Sequence, residues 1–485
     1  MRKSVLFLTA AAILALTPAG AQQRARNLDP RDVAEAQRLH GEIVQQLGGA
    51  ETGPRAAYVA SVGRRIGAVS GVANPGQALH FTLLNSAVEN ALSVPGGYVY
   101  ATRQLLALMD DESELAFALG HEVGHVAANH AHVREEYARR TSGGILGQIL
   151  GTIFGDSYLG SLFQARAALQ TLSFSRDQEY QADQLALRYL VASGYDPVGG
   201  PEVLGALSRQ AALQARIQGR TNRQTPEWAS THPLSENRMQ RAFTEARATG
   251  RLGNGYRNKD GFLSQIEGIY VDDDPAQGVI DGATFTHPDL RIQFSVPTGY
   301  LMSNGTDAVT ISGSAGKAQF RGGSFSGNID DAVLLAFRQL TGGQSNFAVP
   351  PPRHLIVNGM PSAVTTARVN TSSGVVDVSV AAYQWDAQRV YYFVMLTPGG
   401  YGFGPFGSMI QSLRKISPAE ASAIRPRVIH VVAAARGDTV QSLASRMAYR
   451  DFKLERFLAL NGLTPSSTLV PGQKVKLIIY GARRT

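Results

Sequence analysis

The pentapeptide His121-Glu122-Val123-Gly124-His125 constrains this chain more than any other stretch, because it does chemistry only from a helix. Residues four apart share a helix face, so His121 and His125 can turn their imidazoles toward a single metal ion. Glu122 stands beside them, placed to polarise a water at that metal. Two histidines and a base are an incomplete zinc site, since catalytic zinc takes a third protein ligand. The fold must bring that ligand from elsewhere.

Composition narrows the choice. The chain has no cysteine, which excludes disulfides, thiolate catalysis, Cys-ligated zinc and a lipid anchor on cysteine. A metal must therefore be held by His, Asp or Glu. A glutamate on a second helix packed against the first suits a His-His-Glu set, and Glu179 in Ser175-Arg176-Asp177-Gln178-Glu179-Tyr180-Gln181-Ala182-Asp183 is the best candidate. Asp183 follows one turn later on the same face, where its carboxylate can accept the free N–H of a zinc-bound histidine. His130 and His132 read as surface or helix-end residues downstream of the motif. Glu89 reads as a polar residue on a strand face, and Asp272 to Asp274 as a solvated acidic loop.

HExxH followed by ExxAD, with Asn90-Ala91 before Pro95-Gly96-Gly97 and Thr231-His232-Pro233 before Arg238, resembles the zinc metallopeptidases of the CAAX prenyl protease/HtpX/BepA type. The resemblance covers Leu79 to Arg238. It implies one zinc ion per chain held by His121, His125 and Glu179, with Asp183 behind the ligands. It also implies that Asn90 and Ala91 lie on an edge strand that receives the substrate backbone. His232 would sit at the open zinc position, as an oxyanion-stabilising group or as a displaceable fourth ligand that keeps the enzyme latent. Arg238 would be a supporting or oxyanion-binding group. The catalytic set is then Glu122 as general base with His232 and Arg238. An edge strand holds an extended peptide through main-chain bonds and favours unfolded segments.

The expected architecture is multidomain: an α-rich zincin-type catalytic domain with a small β-sheet, an α+β middle domain, and a small βααβ LysM-like C-terminal domain. Arg2 and Lys3, the apolar run Val5 to Leu16 and Ala19-Gly20-Ala21 read as a signal peptide over residues 1–21, with cleavage before Gln22. That run is too short to span a bilayer. Residues 22–250 carry helical periodicity around the motifs, residues 251–282 read as a Gly- and Asp-rich linker, and residues 283–420 alternate as strands in a mainly antiparallel sheet. The HExxH helix is expected to continue toward Arg139. Gly143, Gly147, Gly151 and Gly155 then recur in an apolar stretch that reads as a close-packed or mobile soluble segment, such as a lid over the cleft. In residues 428–482, Gly437-Asp438-Thr439, Leu460-Asn461-Gly462-Leu463 and Pro471-Gly472-Gln473 resemble a LysM domain, which implies peptidoglycan binding.

Net charge is +8 and falls to +6 once Arg2 and Lys3 leave with the signal. The excess is mild and dispersed, without the basic and aromatic clustering of a nucleic-acid surface. The chain thus reads as a periplasmic or otherwise exported zinc endopeptidase acting on unfolded or misassembled envelope proteins. The alternatives are a periplasmic chaperone or assembly factor with latent protease activity, and a peptidoglycan-binding scaffold.

Overall fold

In the computed structural model, the structure describes residues 25–130, 174–217, 236–306, 308–340, 348–371 and 374–484. The signal segment, His132, the Gly143 to Gly155 stretch and Thr231-His232-Pro233 lie outside the described residues.

The first unit begins with α1 (Pro30–Gln46), α2 (Pro54–Gly67) and the short α3 (Pro75–Ala78), each with proline in its first turn. Proline there loses no helix bond, because the first N–H groups have no intrahelical partner. Then come β1 (His80–Leu84), β2 (Ala91–Val94) and β3 (Tyr98–Thr102). They form a sheet in the order β1-β3-β2, parallel between β1 and β3 and antiparallel between β2 and β3. Among the described residues β2 is therefore an edge strand. Helices α4 (Arg103–Leu108), α5 (Glu112–Ala128), α6 (Arg176–Ala192), α7 (Gly199–Ile217), α8 (Glu236–Ala248) and α9 (Lys259–Ile266) follow.

The stretch 251–282 differs from the linker expected for it. Phe262, Leu263 and Ile266 of α9 are buried in the core of this first unit. Arg257 pairs with Asp111 and Glu202, and Arg103 donates to the carbonyls of Tyr270 (2.8 Å) and Asp272 (2.6 Å). The acidic loop is also built in: Asp274 is buried and accepts from Asn85 at 2.8 Å, while Tyr449 donates to Asp272 at 2.7 Å. Apolar residues spaced among Gly and Asp hid a helix that finds its partners only in three dimensions.

After β4 (Tyr270–Val271), the middle region is α+β. β5 (Val279–Asp281), β6 (Thr284–His287) and β7 (Ile292–Ser295) join a later two-residue strand, Arg414–Lys415, in one sheet. A seven-stranded antiparallel sheet contains β8 (Leu301–Asn304), β9 (Val309–Gly313), β10 (Gly316–Ser324), β11 (Arg353–Val357), β12 (Met360–Thr371), β13 (Gly374–Gln384) and β14 (Arg389–Pro398). The helix α10 (Ile329–Leu340) covers one face of this sheet, with Val333, Ala336 and Phe337 against Val378, Val380 and Val394. The aromatic cluster of Phe294, Phe320 and Phe393 fills the space toward the smaller sheet.

The last module has the expected strand-helix-helix-strand order: Arg427–Ala433, Val440–Ser445, Lys453–Asn461 and Lys474–Tyr480, its two strands antiparallel. It is continuous with the first unit. Val428 pairs with Tyr270 of β4, and Ile429, Leu443, Phe457 and Leu477 belong to the same apolar cluster as Val59, Leu115 and Val123. Lys476, 1% exposed, donates to the carbonyls of Ala107 (3.1 Å), Leu108 (3.0 Å) and Met109 (2.8 Å) and pairs with Asp110 at 3.0 Å. A lysine is buried this deeply only when its donors are satisfied.

Candidate metal centre

Helix α5 starts at Asp111, whose side chain accepts from Ser113 N (2.9 Å) and Glu114 N (3.3 Å). Nearly all its residues are buried, from Leu115 through Val126, as expected of an interior helix rather than an amphipathic surface one. Its two glycines set the geometry of the site. A Cβ on Gly124 would lie 3.3 Å from Ala182 O and Leu185 Cβ, and one on Gly120 would lie 3.4 Å from Ala186 Cα. Gly120 and Gly124 are one turn apart on α5, and Ala182 and Ala186 are one turn apart on α6. This seam of small residues lets the two backbones approach, which is how Glu179 reaches the histidines.

His121 Nε2 and His125 Nε2 are 3.0 Å apart, and Glu179 places Oε2 3.5 Å from the first and Oε1 3.5 Å from the second. Tetrahedral ligands at zinc bond lengths of about 2.0–2.1 Å stand roughly 3.3 Å from one another, so this donor set fits zinc. Burial opposes a charged His121, but the hydrogen bonds of Asp183 and Glu179 outweigh it and hold the imidazole up at about 10. The carboxylates thus create a potential that favours a cation at this point.

The groups behind the ligands are equally ordered. Asp183 Oδ1 lies 2.9 Å from His121 Nδ1, leaving Nε2 for a metal. Arg238 clamps Asp183 with two bonds of 2.9 and 2.8 Å and reaches Glu179 Oε2 at 2.6 Å, in a buried position. Burial raises the pKa of the Asp183 carboxyl, but Arg238 and His121 more than offset this and hold it below its ordinary value. Arg238 therefore stands as a support to two carboxylates of the site.

His130, expected as a surface or helix-end residue, is instead buried behind the ligands. Helix α5 ends at Ala128, short of Arg139, because Asn129 takes the left-handed conformation (φ 56°) that Asn tolerates better than most residues. His130, directly after this break, lies with Nδ1 2.9 Å from His125 Nδ1 and Nε2 3.0 Å from Gln181 Oε1. Burial holds His130 below its ordinary pKa. A neutral His130 accepts from His125 Nδ1–H and donates to Gln181, so the second zinc-type histidine also has its tautomer fixed. Phe174 stacks on His125 with ring centroids 3.8 Å apart. The left-handed preference of Asn129 was the available signal.

Glu122 lies next to the ligands, its Oε2 accepting from Ser93 Oγ at 2.9 Å. Ser93 is on the edge strand β2. Asn90 immediately precedes β2, its carbonyl accepting from Thr102 N (3.0 Å) and its N–H donating to Thr102 Oγ1 (3.1 Å), and with Ala91 it lines a cavity shared by His121 and Glu122. Glu89 lines the same cavity and accepts from Gln210 at 2.9 Å. His232 lies outside the described residues.

This interior HExxH helix, closed by a glutamate from a second helix, is the arrangement of a metallopeptidase. Residues 54–246 match the family model of Peptidase family M48, and this part of the chain is an M48 metallopeptidase domain. The chain is 33% identical over 199 residues to the beta-barrel assembly-enhancing protease of Yersinia pestis, an alignment covering 39% of this chain and 38% of that one. It is 32% identical over 198 residues to the protein of that name in Escherichia coli K12, with 39% and 38% covered. With the mitochondrial metalloendopeptidase OMA1 of Arabidopsis thaliana it shares 30% identity over 156 residues, covering 32% and 29%. The chain thus spans well under half the length of these relatives.

Proposed function

We propose that the chain is an exported zinc-dependent endopeptidase of the cell envelope that hydrolyses peptide bonds in unfolded or misassembled envelope proteins. The observation that carries this reading is the convergence of ligand atoms of His121, His125 and Glu179 to within 4.8 Å of one another beside Glu122 and β2, an edge strand among the described residues. Zinc held there supplies Lewis-acid polarisation of the scissile carbonyl and a water of lowered pKa. Glu122 takes the proton of the attacking water and hands it to the leaving amine as the C–N bond breaks. Ser93 orients the Glu122 carboxylate, and β2 holds the peptide extended by main-chain bonds. Asp183, Arg238 and His130 keep the ligands in register.

The name of the bacterial relatives supports an envelope protein as substrate. Because that name joins assembly to proteolysis, a chaperone or assembly factor with latent protease activity is the second reading. His232 as a displaceable fourth ligand would make such latency physical. Among the described residues no helix is long and apolar enough to cross a membrane. The C-terminal βααβ module is proposed as a peptidoglycan contact, supported by its element order and by the exposed Val470 beside Pro471-Gly472.

The test is cleavage of an unfolded outer-membrane protein by the full chain, with chelator and then zinc added back. Chelator should abolish cleavage and zinc should restore it. Cleavage that persists without metal overturns the proposal.

A further inference from the structure

Strand β2 is entered through Glu89 and Asn90, and each of these is fixed by an element that the C-terminal module grips. Thr102, the N-cap of α4, accepts from Asn90 N at 3.1 Å through Oγ1 and donates its backbone N–H to Asn90 O at 3.0 Å. At the other end of α4, Lys476 of the module bonds the carbonyls of Ala107, Leu108 and Met109. Helix α4 has six residues, about 9 Å of rise, so both contacts sit on one short rod. The second hold runs through α7. Gln210, which is buried, donates to Glu89 Oε1 at 2.9 Å. Its neighbour Arg209 leaves the helix about 100° further round and donates through Nε to Ala459 O at 3.4 Å. Ala459 is in the last turn of the module helix Lys453–Asn461, where carbonyls lack partners within the helix and the dipole favours a cation. Gly462 caps that helix at φ 62°, and a Cβ on it would lie 3.2 Å from Arg209 Nη2, so the guanidinium packs on bare backbone. Arg216, two turns along the same face of α7, pairs with Glu455 of the module helix at 3.2 Å.

We propose that the C-terminal module positions the substrate strand of the peptidase. Through Lys476 and α4 on one side, and Arg209, α7 and Gln210 on the other, it fixes the start of β2 and so sets how tightly an extended peptide is held. This rests on the peptidase reading above. Arg209 and Gln210 are positioning residues, acting through Glu89 and the strand rather than on the reacting atoms. An edge strand binds a peptide with its main-chain groups. A strand ordered beforehand loses little freedom when the peptide pairs with it, whereas a loosened one must be ordered by the peptide. Those main-chain bonds form alike in the ground and transition states, so loosening β2 raises KM and leaves kcat in place.

The experiment measures kcat and KM of the zinc-loaded full chain on fluorescence-quenched unfolded casein. Gln210→Glu sets a carboxylate against Glu89 and should raise KM about tenfold with kcat within about twofold of wild type. Adding Glu89→Gln restores the amide–carboxylate bond with donor and acceptor exchanged, and should return KM to within about twofold. Arg209→Met keeps the stem but removes the donors from the module helix, and should raise KM about fivefold, again with kcat in place. That variant separates the proposal from a local effect, because the bond it removes is to the module and not to β2. An unchanged KM in Arg209→Met, a swap that rescues nothing, or a loss confined to kcat overturns the proposal. If Gln210→Glu does not fold, Gln210→Met removes the donor without adding charge and carries the same comparison. If wild type cuts no casein, the peptidase reading fails, and the affinity of casein for zinc-loaded Glu122→Gln decides the coupling. Binding weakened about fivefold on adding Arg209→Met supports it, and equal binding overturns it.

Discussion

Replacing Lys476 by Met tests whether the C-terminal module is part of the peptidase rather than a tethered appendage. Methionine keeps the apolar stem but removes the ammonium that bonds Ala107, Leu108 and Met109 at 2.8–3.1 Å and pairs with Asp110. The Asp110 side chain is 28% exposed and can rehydrate. The carbonyls cannot, since Ala107, Leu108 and Met109 are buried. Stranding buried acceptors costs about 1–3 kcal/mol each when nothing relaxes, and breaking a buried charged pair costs about 3–5 kcal/mol in all. With partial relaxation the second range is the better bound. At roughly 2–4 °C per kcal/mol for a unit of this size, the melting transition of the zinc-loaded chain should fall by about 10 °C. Calorimetry gives the shift, and limited proteolysis shows whether the module and the HExxH unit open together. A transition within about 2 °C of wild type, with the module released as a stable fragment, would refute this reasoning.

Other substitutions probe the ligand support. His130→Ala removes the acceptor for His125 Nδ1–H, so zinc affinity measured against a chelating dye should drop about 10–100-fold; unchanged affinity would show that His130 orients nothing. Gly124→Val drives a branched side chain into Ala182 and Leu185, already 3.3 Å from where a Cβ would stand, at a cost of about 1–3 kcal/mol. It should weaken zinc binding together with thermal stability. In the metal-free chain His121 is held at about 10, above its ordinary 6.5. That contribution to stability is fully present below pH 6.5 and is lost as pH rises toward 10. Zinc must displace the same proton, so apparent affinity should rise about tenfold per pH unit between about pH 7 and 8. A flat profile in calorimetric titrations would contradict this.

How far the sequence could be read depended on whether a signal was local. The helices bearing the motifs were visible because turn spacing and caps are local: Ser175 caps α6 with a capping box to Gln178, and α6 runs from Arg176 to Ala192. Glu179 and Asp183 could be named because i, i+4 positions share a face. His130 was misplaced because helix termination was judged from apolar periodicity, which continues past Ala128, while the backbone turns on the one residue, Asn129, that accepts a positive φ. The packing of α9 and the burial of Lys476 were invisible for a different reason. Their partners lie far away in the chain, with Lys476 367 residues from Met109, and no periodicity encodes such a contact. The close approach of α5 and α6 was written as Gly120, Gly124, Ala182 and Ala186, yet small residues at turn spacing declare a seam only once both helices are known to pack.

The most direct test of the catalytic assignment is Glu122→Gln, measured for zinc content and for cleavage of an unfolded envelope protein in the same preparation. The substituted amide keeps an acceptor for Ser93 but cannot take a proton, so zinc should remain at one per chain while the cleavage rate falls by about 100-fold or more. A variant that carries its zinc and still cuts at the wild-type rate would contradict Glu122 as the base.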